Sequence, residues 1–382
     1  MRTVDLFAGC GGLSTGFQEA GFEVSLAVEL WEPARLVYEA NCGKHVLGLD
    51  LNDVKKAVRL IRREKPDILI GGPPCQEFSP AGPRIEGEKA EMTNKFAEIV
   101  IGARPEWFVL ENVPAISSSS AWDSAKKKFE DAGYGISEAV LNAAYFGVPQ
   151  LRKRFFAIGR LGENRGFIDY ALNKQKSLKP MSIRDYLDDE LGIEFYYRHP
   201  RNWGRQGIYS INEPSPTIRS TNRKVPPGYK PHPNDAGPIH LAKPLTPEQR
   251  ARIQTFSSNF KFTGFDTWKN IMIANAVPVQ LALHVANAIK THRERELEID
   301  DPEFRNWLST DFEYTDRTIS NVVSRLRRGS KMIGHALSEN EIPLAITALD
   351  AKLDFQKLQP SVRSQIRRAF RLRMQYMAAQ QV

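Results

Sequence analysis

Short apolar runs alternate with amphipathic stretches over the first 160 residues of the chain. The runs predict strands at Thr3–Phe7, Val24–Val28, Ile68–Ile70, Trp107–Leu110 and Arg154–Ile158. The intervening stretches predict helices, as at Asp53–Glu64, where the apolar residues share one helical face. This rhythm predicts βα units and a mostly parallel sheet. In such a sheet ligands bind at the carboxyl ends of the strands.

The periodicity breaks down over residues 161–244, where Pro, Gly, Asn and Arg are frequent. This segment is predicted to form a small irregular domain inserted between residues 1–160 and 245–292. Regularity returns at Thr246, a helix N-cap followed by Pro247.

The end of the chain is predicted to be helical. A helix is expected from Pro278 to about Arg295, and the charged stretch Thr291–Asp301 reads as a linker. Residues 300–382 predict a helical extension, with its clearest helices at Asp316–Arg328 and Val362–Met377.

Composition narrows the class of protein. Hydrophobic residues make up 41% and charged residues 26% of the 382, which is typical of soluble globular proteins. No run approaches the ~20 apolar residues of a membrane span, and no signal peptide precedes the first strand, so we expect a cytoplasmic protein.

Lys and Arg exceed Asp and Glu by 53 to 45. That excess suits a polyanion, although ribosomal and membrane-surface proteins share it. Three cysteines are too few for a disulfide framework and lack metal-ligand spacing.

A glycine-rich turn follows the first predicted strand, in the run Asp5–Leu13. Glycines let the backbone approach a ligand closely, although a tight strand-to-helix turn would use them as well. The next strand ends at Glu29, whose carboxylate can accept hydrogen bonds from both ribose hydroxyls of a nucleoside. Asp50 could accept from an exocyclic amino group. Together these positions predict a nucleoside-containing cofactor.

A stiff loop, Gly71–Gln76, follows the strand Ile68–Ile70. Its two prolines fix the backbone and direct Cys75 outward, which favours a nucleophile. For Cys10 and Cys42 a buried structural role is the better interpretation.

Polar side chains also follow two later strands. Glu111 ends the strand Trp107–Leu110 and would stand beside Cys75 if the two strands are neighbours. Alternation places Gln150, Arg152 and Arg154 on one face, where they need an anionic or carbonyl-rich partner.

In this order the motifs resemble those of the DNA cytosine-5 methyltransferases. The match consists of Phe7–Gly12, Pro73–Gln76, Glu111–Val113, the Gln-x-Arg-x-Arg run, Arg252–Gln254 and Asn275–Pro278. It covers about residues 1–292. The resemblance implies a Rossmann-like α/β sheet of the S-adenosylmethionine-dependent methyltransferases. It also implies a small irregular target-recognition domain at 161–244. The predicted helical extension at 300–382 lies outside the resemblance.

The resemblance also implies a chemistry for the catalytic residues. The Cys75 thiolate would add to carbon 6 of cytosine and make carbon 5 nucleophilic. Glu111 would hold or protonate N3, and Arg154, with Arg152, would bind the base carbonyl. Arg152 or Gln150 could instead brace the loop. Glu77 and Ala274 depart from the family pattern without removing a catalytic group.

The family's cofactor pocket maps onto ten residues of this chain, and no metal is implied. They are Phe7, Gly9, Cys10, Gly11, Gly12, Glu29, Leu30, Asp50, Pro74 and Asn275.

Duplex DNA is the implied partner, and the target base must leave the stack to react. The segment Ser79–Arg84 resembles the family's mobile loop, with Gly82 as a hinge. The candidate DNA contacts, some of which could be ordinary solvated charges, are Ser79, Arg84, Arg198, Arg201, Arg205, Thr217, Arg219 and Arg223. Basic helices in the tail could form an accessory DNA-binding module, a solvated face or a dimer contact.

Two other functions remain open on the sequence. One is a tRNA cytosine-5 methyltransferase, although the Cys-Phe-Thr signature of that branch is absent. The other is a catalytically silent DNA-binding protein with the same fold, although every expected catalytic group is present. The resemblance fits a prokaryotic enzyme, monomeric on DNA, that is either solitary or paired with a restriction endonuclease.

Overall fold

A computed structural model of the chain describes residues 1–74, 88–200, 202, 204–299, 301–333 and 342–380. Its strands are β1 (Arg2–Leu6), β2 (Glu23–Val28), β3 (Val46–Leu47), β4 (Ile68–Gly71), β5 (Trp107–Asn112), β6 (Tyr134–Asn142), β7 (Gln150–Leu151), β8 (Lys153–Leu161), β9 (Phe195–Tyr197), β10 (Ile208–Ser210), β11 (Ser215–Pro216) and β12 (Lys243–Pro244).

Helices lie between and after these strands. They are α1 (Gly12–Glu19), α2 (Glu32–Asn41), α3 (Val54–Glu64), α4 (Glu88–Ala103), α5 (Ser120–Asp131), α6 (Asp169–Lys174), α7 (Ile183–Leu187), α8 (Pro247–Ile253), α9 (Asp266–Asn275), α10 (Val279–Ile299), α11 (Pro302–Thr310), α12 (Asp316–Ile333), α13 (Ile342–Ala351), α14 (Leu353–Gln356) and α15 (Pro360–Ala379). Short 3₁₀ turns occur at Pro114–Ser118, Ala143–Tyr145 and Ile239–Leu241.

The central sheet has seven strands in the order β3-β2-β1-β4-β5-β8-β6. β1 runs parallel to both β2 and β4, and β4 runs parallel to β5. β8 joins β5 antiparallel. β2 and β3 follow on one side of β1, and β4 and β5 follow on the other side. The strand order therefore reverses between β1 and β4. That reversal is the point at which doubly wound sheets bind ligands, and the predicted α/β fold is confirmed.

The predicted strands form because their apolar runs are covered on both faces. β4 and β5 are buried throughout their length, as expected for parallel strands between two layers of helices. The ring of Phe108 stacks on Phe129 with centroids 4.0 Å apart. A side chain at Gly159 would collide with the Phe108 ring, so glycine allows β8 to pass that aromatic layer.

The region between β8 and α8 is irregular, as expected. Its strands form the small sheet β10-β9-β12, and β11 pairs with β7, which lies before β8 in the chain; the short helices α6 and α7 also belong to this region. The hydroxyl oxygen of Ser182 accepts from the N–H of Asp185, and the carboxylate of Asp185 accepts from the N–H of Ser182. This capping box begins α7.

The chain packs as two compact units. The first comprises Met1–Tyr134, Glu138–Gly162 and Gln175–Ala286, and the second comprises Gly135–Ser137, Glu163–Lys174 and Asn287–Val382. The first unit therefore holds most of the sheet and most of the predicted recognition segment. The predicted linker at 291–301 is wrong, because α10 continues to Ile299 through a stretch rich in helix-forming residues.

The second unit has its own apolar core, formed mainly by α11, α12 and α15. Phe304, Ile319, Leu326, Ile366 and Phe370 are buried there. A Cβ at Gly329 would collide with the Phe370 ring, so this glycine allows α12 and α15 to pack closely.

One stretch, Asp266–Glu294, is long and apolar enough to cross a membrane, but 67% of its most apolar window is buried in the protein. The core helices of soluble proteins have this property.

Candidate functional site

The turn after β1 is built from residues with unusual backbone conformations. Phe7, Gly9 and Gly11 have φ values of 59°, 55° and 99°, in the left-handed region. A Cβ at Gly12 would collide with the carbonyl oxygen of Val277, so that glycine is needed for packing. A Cβ at Gly9 would meet no atom within 4 Å. Gly9 therefore faces open space, where a ligand can approach the backbone.

Glu29 at the end of β2 is tied to this turn. One carboxylate oxygen accepts from the N–H of Gly9 at 2.9 Å, and the other accepts from the N–H of Trp31 at 2.7 Å. Each oxygen keeps a second lone pair for a further hydrogen bond. The carboxylate is thus fixed at the carboxyl edge of the sheet, as the sequence predicted.

The other predicted cofactor residues are at the surface, with one exception. Leu30 is 63% exposed, which is unusual for a leucine. Asp50, Pro74 and Asn275 are exposed as well. Cys10 differs, because its thiol is buried and faces the carbonyl oxygen of Met272 at 3.8 Å, and burial raises its pKa. Only the backbone of Cys10 can serve a ligand in this arrangement.

A buried hydrogen-bonded chain lies beneath the turn, and sequence reasoning missed it. The Ser14 hydroxyl donates to Asp5 at 2.6 Å, and the Tyr38 hydroxyl donates to Ser14 at 2.9 Å and lies 3.1 Å from His45 Nε2. Burial raises the pKa of Asp5 to about 7. The available signal was a single carboxylate between the apolar residues Val4 and Leu6 of β1.

The loop that leads to Cys75 lies against β5. β4 and β5 are neighbours, and Gly71 stands opposite Leu110. A Cβ at Gly72 would lie 3.0 Å from Glu111 Oε2, and Asn112 donates to the carbonyl oxygen of Pro73 at 3.2 Å. The start of the loop is therefore held beside Glu111. The predicted site residues Cys75, Ser79 and Arg84, like Glu77, lie outside the described residues.

Glu111 pairs with Arg154. The Arg154 Nε lies 3.0 Å from Glu111 Oε1, and both side chains are largely buried. Burial raises the pKa of Glu111, while the positive charges of Arg154 and Arg152 oppose that rise. Glu111 is therefore a weaker acid than a solvated carboxyl group and stands beside a cation, which suits a group that exchanges a proton.

The guanidinium of Arg152 binds backbone carbonyl groups inside the fold. It is fully buried and donates to the carbonyl oxygens of Ala274 at 2.7 Å, Ala276 at 3.0 Å and Ile218 at 3.5 Å. The predicted alternation is present, and the partner is carbonyl-rich. This geometry gives Arg152 the bracing role that the sequence left open, since it fixes the residues on both sides of Asn275.

Gln150 helps Arg152 to hold the backbone near Ile218 in place. Its amide nitrogen donates to Gln254 Oε1 at 2.8 Å, and its amide oxygen accepts from the N–H of Ile218 at 2.9 Å. Gln254 in turn donates to the Ile273 carbonyl oxygen at 2.5 Å. The role of Gln254 was missed, although it lies in a motif that the sequence analysis quoted.

The predicted DNA contacts fall into two groups. Thr217 donates to the Leu151 carbonyl oxygen at 2.6 Å, and β11 pairs with β7, so this segment lies beside the arginine motif. Arg198 and Arg219 are half-buried near it. Arg205 and Arg223 are exposed, and Arg201 lies outside the described residues.

This doubly wound sheet, with its open glycine turn and its carboxylate at the end of β2, defines a protein that binds a nucleoside-containing cofactor. The family model of the C-5 cytosine-specific DNA methylases matches residues 1–291. The chain belongs to this family, which confirms the resemblance. It is a DNA cytosine-5 methyltransferase, and S-adenosylmethionine is its methyl donor.

Individual relatives match most of the chain. The chain is 50% identical over 292 residues to the Type II methyltransferase M.HindV of Haemophilus influenzae, covering 76% of this chain and 96% of the relative. It is 45% identical over 293 residues to the Type II methyltransferase M.HgiDI of Herpetosiphon aurantiacus, covering 76% and 95%. Each match leaves part of this chain uncovered.

Solved structures show the same fold. A putative DNA modification methyltransferase encoded within an Escherichia coli prophage superposes with a TM-score of 0.56 at 22% identity, covering 77% of this chain and 99% of that one. The Dnmt2 methyltransferase of Schizosaccharomyces pombe gives 0.57 at 16% identity, covering 76% and 98%.

Proposed function

We propose that this enzyme methylates carbon 5 of a cytosine that has been extruded from duplex DNA, through a transient bond between Cys75 and carbon 6 of the ring. The observation that carries the proposal is the position of Glu111. It lies against the start of the Cys75 loop, pairs with Arg154 and has a raised pKa. A proton donor and a cation therefore stand at the edge of the sheet where the thiol is expected.

The Cys75 thiolate adds to carbon 6 while Glu111 gives a proton to N3, which leaves carbon 5 as a nucleophilic enamine carbon. Carbon 5 would then take the methyl group as the bond between that group and the sulfonium sulfur of S-adenosylmethionine breaks, which would leave S-adenosylhomocysteine. Loss of the carbon 5 proton to water, return of the N3 proton to Glu111 and departure of the sulfur restore the ring. Arg154 would hold the base carbonyl and keep Glu111 in place.

The residues around the glycine turn fit the cofactor. Gly9 leaves space beside the backbone, the Glu29 carboxylate is fixed for the ribose hydroxyls, and Leu30 offers an exposed apolar surface for the adenine. Asp50 would accept from the adenine amino group. When bound, S-adenosylmethionine supplies an electrophilic methyl group. The same assignment extends to Phe7, Cys10, Gly11, Gly12, Pro74 and Asn275.

Base extrusion follows from the chemistry proposed for Cys75. Carbon 6 cannot be reached inside a stacked duplex, and unstacking costs a few kcal/mol. Contacts with phosphates must supply that free energy, and the net charge of +8 suits them.

The cellular role proposed here is that of a restriction-modification methyltransferase. It rests on relatives whose names describe Type II methyltransferases. We further propose a cytoplasmic enzyme, monomeric on DNA, with a cognate restriction endonuclease.

The helical unit at the end of the chain is proposed to bind DNA as an accessory module. α12 and α15 carry most of its arginines, among them Arg328 and Arg371, which are exposed. Others are engaged within the unit, such as Arg367 with Asp350 at 2.6 Å and Arg373 with Asp301 at 3.1 Å. Replacing Arg328 and Arg371 together with glutamine should weaken DNA binding and its salt dependence while leaving cofactor affinity unchanged. Unchanged DNA binding would contradict this assignment.

A direct assay tests the reaction. Tritium from labelled S-adenosylmethionine should enter duplex DNA and not tRNA, and bisulfite sequencing of a plasmid from expressing cells should show 5-methylcytosine at one sequence. Transfer to tRNA alone would favour the tRNA enzyme. No transfer to either, with DNA binding intact, would favour a silent DNA-binding protein.

A further inference from the structure

Arg35 on α2 binds the backbone at the end of β2. Its Nη1 donates to the carbonyl oxygens of Glu29 at 3.5 Å and Leu30 at 3.1 Å. Side chains on a helix slope towards its N-terminus, so this side chain reaches back along α2 to the end of the preceding strand. The backbone that carries Glu29 and Leu30 is therefore held by the Arg35 guanidinium.

The same guanidinium lies against the residue that follows β3. A Cβ at Gly48 would lie 2.7 Å from Arg35 Nη1 and 2.9 Å from Arg35 Cζ, and the three atoms nearest to that Cβ all belong to this one side chain. The φ of Gly48 is outside the left-handed region, so its backbone conformation does not require glycine. Glycine is needed here because the guanidinium approaches so closely.

The spacing between the ends of β2 and β3 depends on contacts of this kind. The ladder between the two strands ends at Val28 and Leu47. Leu30 and Asp50, to which the adenine is assigned, lie beyond the paired positions. The Arg35 guanidinium contacts both chain segments there, so it links the two strand ends after the sheet has stopped.

The position of Arg35 is unfavourable for α2 on its own. The N–H of Arg35 donates to the carbonyl oxygen of Trp31, which places Arg35 at the end of the first turn of the helix. The helix dipole disfavours a positive charge there. A residue that departs from a local preference and holds the backbone of a binding site indicates a functional constraint.

We infer that Arg35 is a positioning residue for the adenosine half of S-adenosylmethionine. It sets the distance between Glu29, which accepts from the ribose hydroxyls, and Asp50, which accepts from the adenine amino group. The inference rests on the proposed function, which assigns those two carboxylates to the cofactor. Arg35 acts through the backbone of its neighbours, as a supporting residue does for the groups that touch a ligand.

The first test is a double-mutant cycle on the affinity for S-adenosylhomocysteine, which keeps the adenosine half. Arg35→Ala should weaken binding about tenfold by calorimetry, because a charged donor to two carbonyls is lost. Gly48→Ala should weaken it by a similar factor, since the added methyl group displaces the guanidinium. Once Arg35 is alanine, that methyl group meets empty space, so Gly48→Ala should cause no further loss in the double variant. Unchanged affinity in Arg35→Ala, or losses that multiply in the double variant, would overturn the inference.

A second readout separates positioning from a general loss of stability. Arg35→Ala should raise KM for S-adenosylmethionine about tenfold with a smaller change in kcat. It should also reduce the preference for S-adenosylhomocysteine over S-inosylhomocysteine, in which an oxygen replaces the adenine amino group. Arg59→Met is the matched control, because it removes an exposed arginine from α3, and it should change none of these quantities. A fall in kcat alone, or an equal loss of affinity for the two analogues, would contradict the positioning role.

Glu29→Gln separates this inference from the proposed function. If Glu29→Gln and Arg35→Ala both leave the affinity for S-adenosylhomocysteine unchanged, the assigned cofactor pocket is wrong. If Glu29→Gln weakens binding and Arg35→Ala does not, the pocket stands and the inference about Arg35 alone fails. Calorimetry decides both points even if no methyl group is transferred, and urea unfolding verifies that each variant is folded.

Discussion

Replacing Arg152 separates bracing from direct contact with the base. The side chain is fully buried and satisfies the carbonyl oxygens of Ile218, Ala274 and Ala276. Hydrogen bonds to a charged group contribute about 1.5–3 kcal/mol each, and the longest of the three counts for less, so Arg152→Met should lower the free energy of unfolding by about 3–5 kcal/mol. That is a large share of the total stability of a typical domain, about 5–15 kcal/mol.

The assay is urea unfolding combined with steady-state kinetics below the unfolding transition. Because Arg152 fixes the backbone on both sides of Asn275 and at Ile218, KM should rise for both S-adenosylmethionine and DNA, with a smaller change in kcat. Arg154→Met is the matched control. It should lose kcat with a smaller loss of stability, since Glu111 can take up a proton when its partner is removed. If Arg152→Met unfolds like the wild type and loses only kcat, the bracing role is wrong.

Three further predictions concern other parts of the molecule. Glu29→Gln should weaken S-adenosylmethionine binding at least tenfold by calorimetry, and unchanged affinity would refute its role. The raised pKa of Asp5, about 7, means that the folded state binds the proton more tightly than the unfolded chain, so stability falls as pH rises from about 4 to 7. Asp5→Asn should show a shallower fall in urea unfolding at pH 5–7.5, and identical slopes would contradict the burial argument. Glu163 has a pKa lowered by its hydrogen bond with His292 and by Lys331 at 3.3 Å, so it should stabilise the second unit above its unfolded pKa and lose that effect as pH falls. Thermal unfolding of Glu163→Gln should therefore be less pH-dependent at acid pH, and an unaltered profile would contradict it.

The sheet could be predicted because its signals are local. Fully apolar runs such as Ile68–Gly71 and Trp107–Leu110 have few alternatives to a buried strand, and each is bounded by turn residues. β6 was missed because Tyr134–Asn142 mixes buried and half-exposed positions without a clear period. The predicted linker failed for a related reason, since a charged sequence can continue a helix as readily as end it.

The candidate site was predictable in outline but not in its contacts. Alternation placed Gln150, Arg152 and Arg154 on one face, and that much depends on neighbours in sequence. Arg152 binds the carbonyl oxygens of Ile218, Ala274 and Ala276, which are far away along the chain, and Arg154 pairs with Glu111. Neighbours in sequence could not show which arginine would take which partner. The hydrogen bonds from Arg198, Arg152 and Arg250 to the carbonyl oxygens of residues 217–219 likewise join segments whose approach no local pattern encodes.

The central claim is that the sulfur of Cys75 bonds to the target ring. The most direct measurement is trapping on a duplex that carries 5-fluorocytosine at the target position, because fluorine at carbon 5 prevents release of the enzyme. Wild-type protein with S-adenosylmethionine should form a complex that survives denaturing electrophoresis, and Cys75→Ser should form none and transfer no tritium to unmodified DNA. Methyl transfer by Cys75→Ser at the wild-type rate would contradict the mechanism.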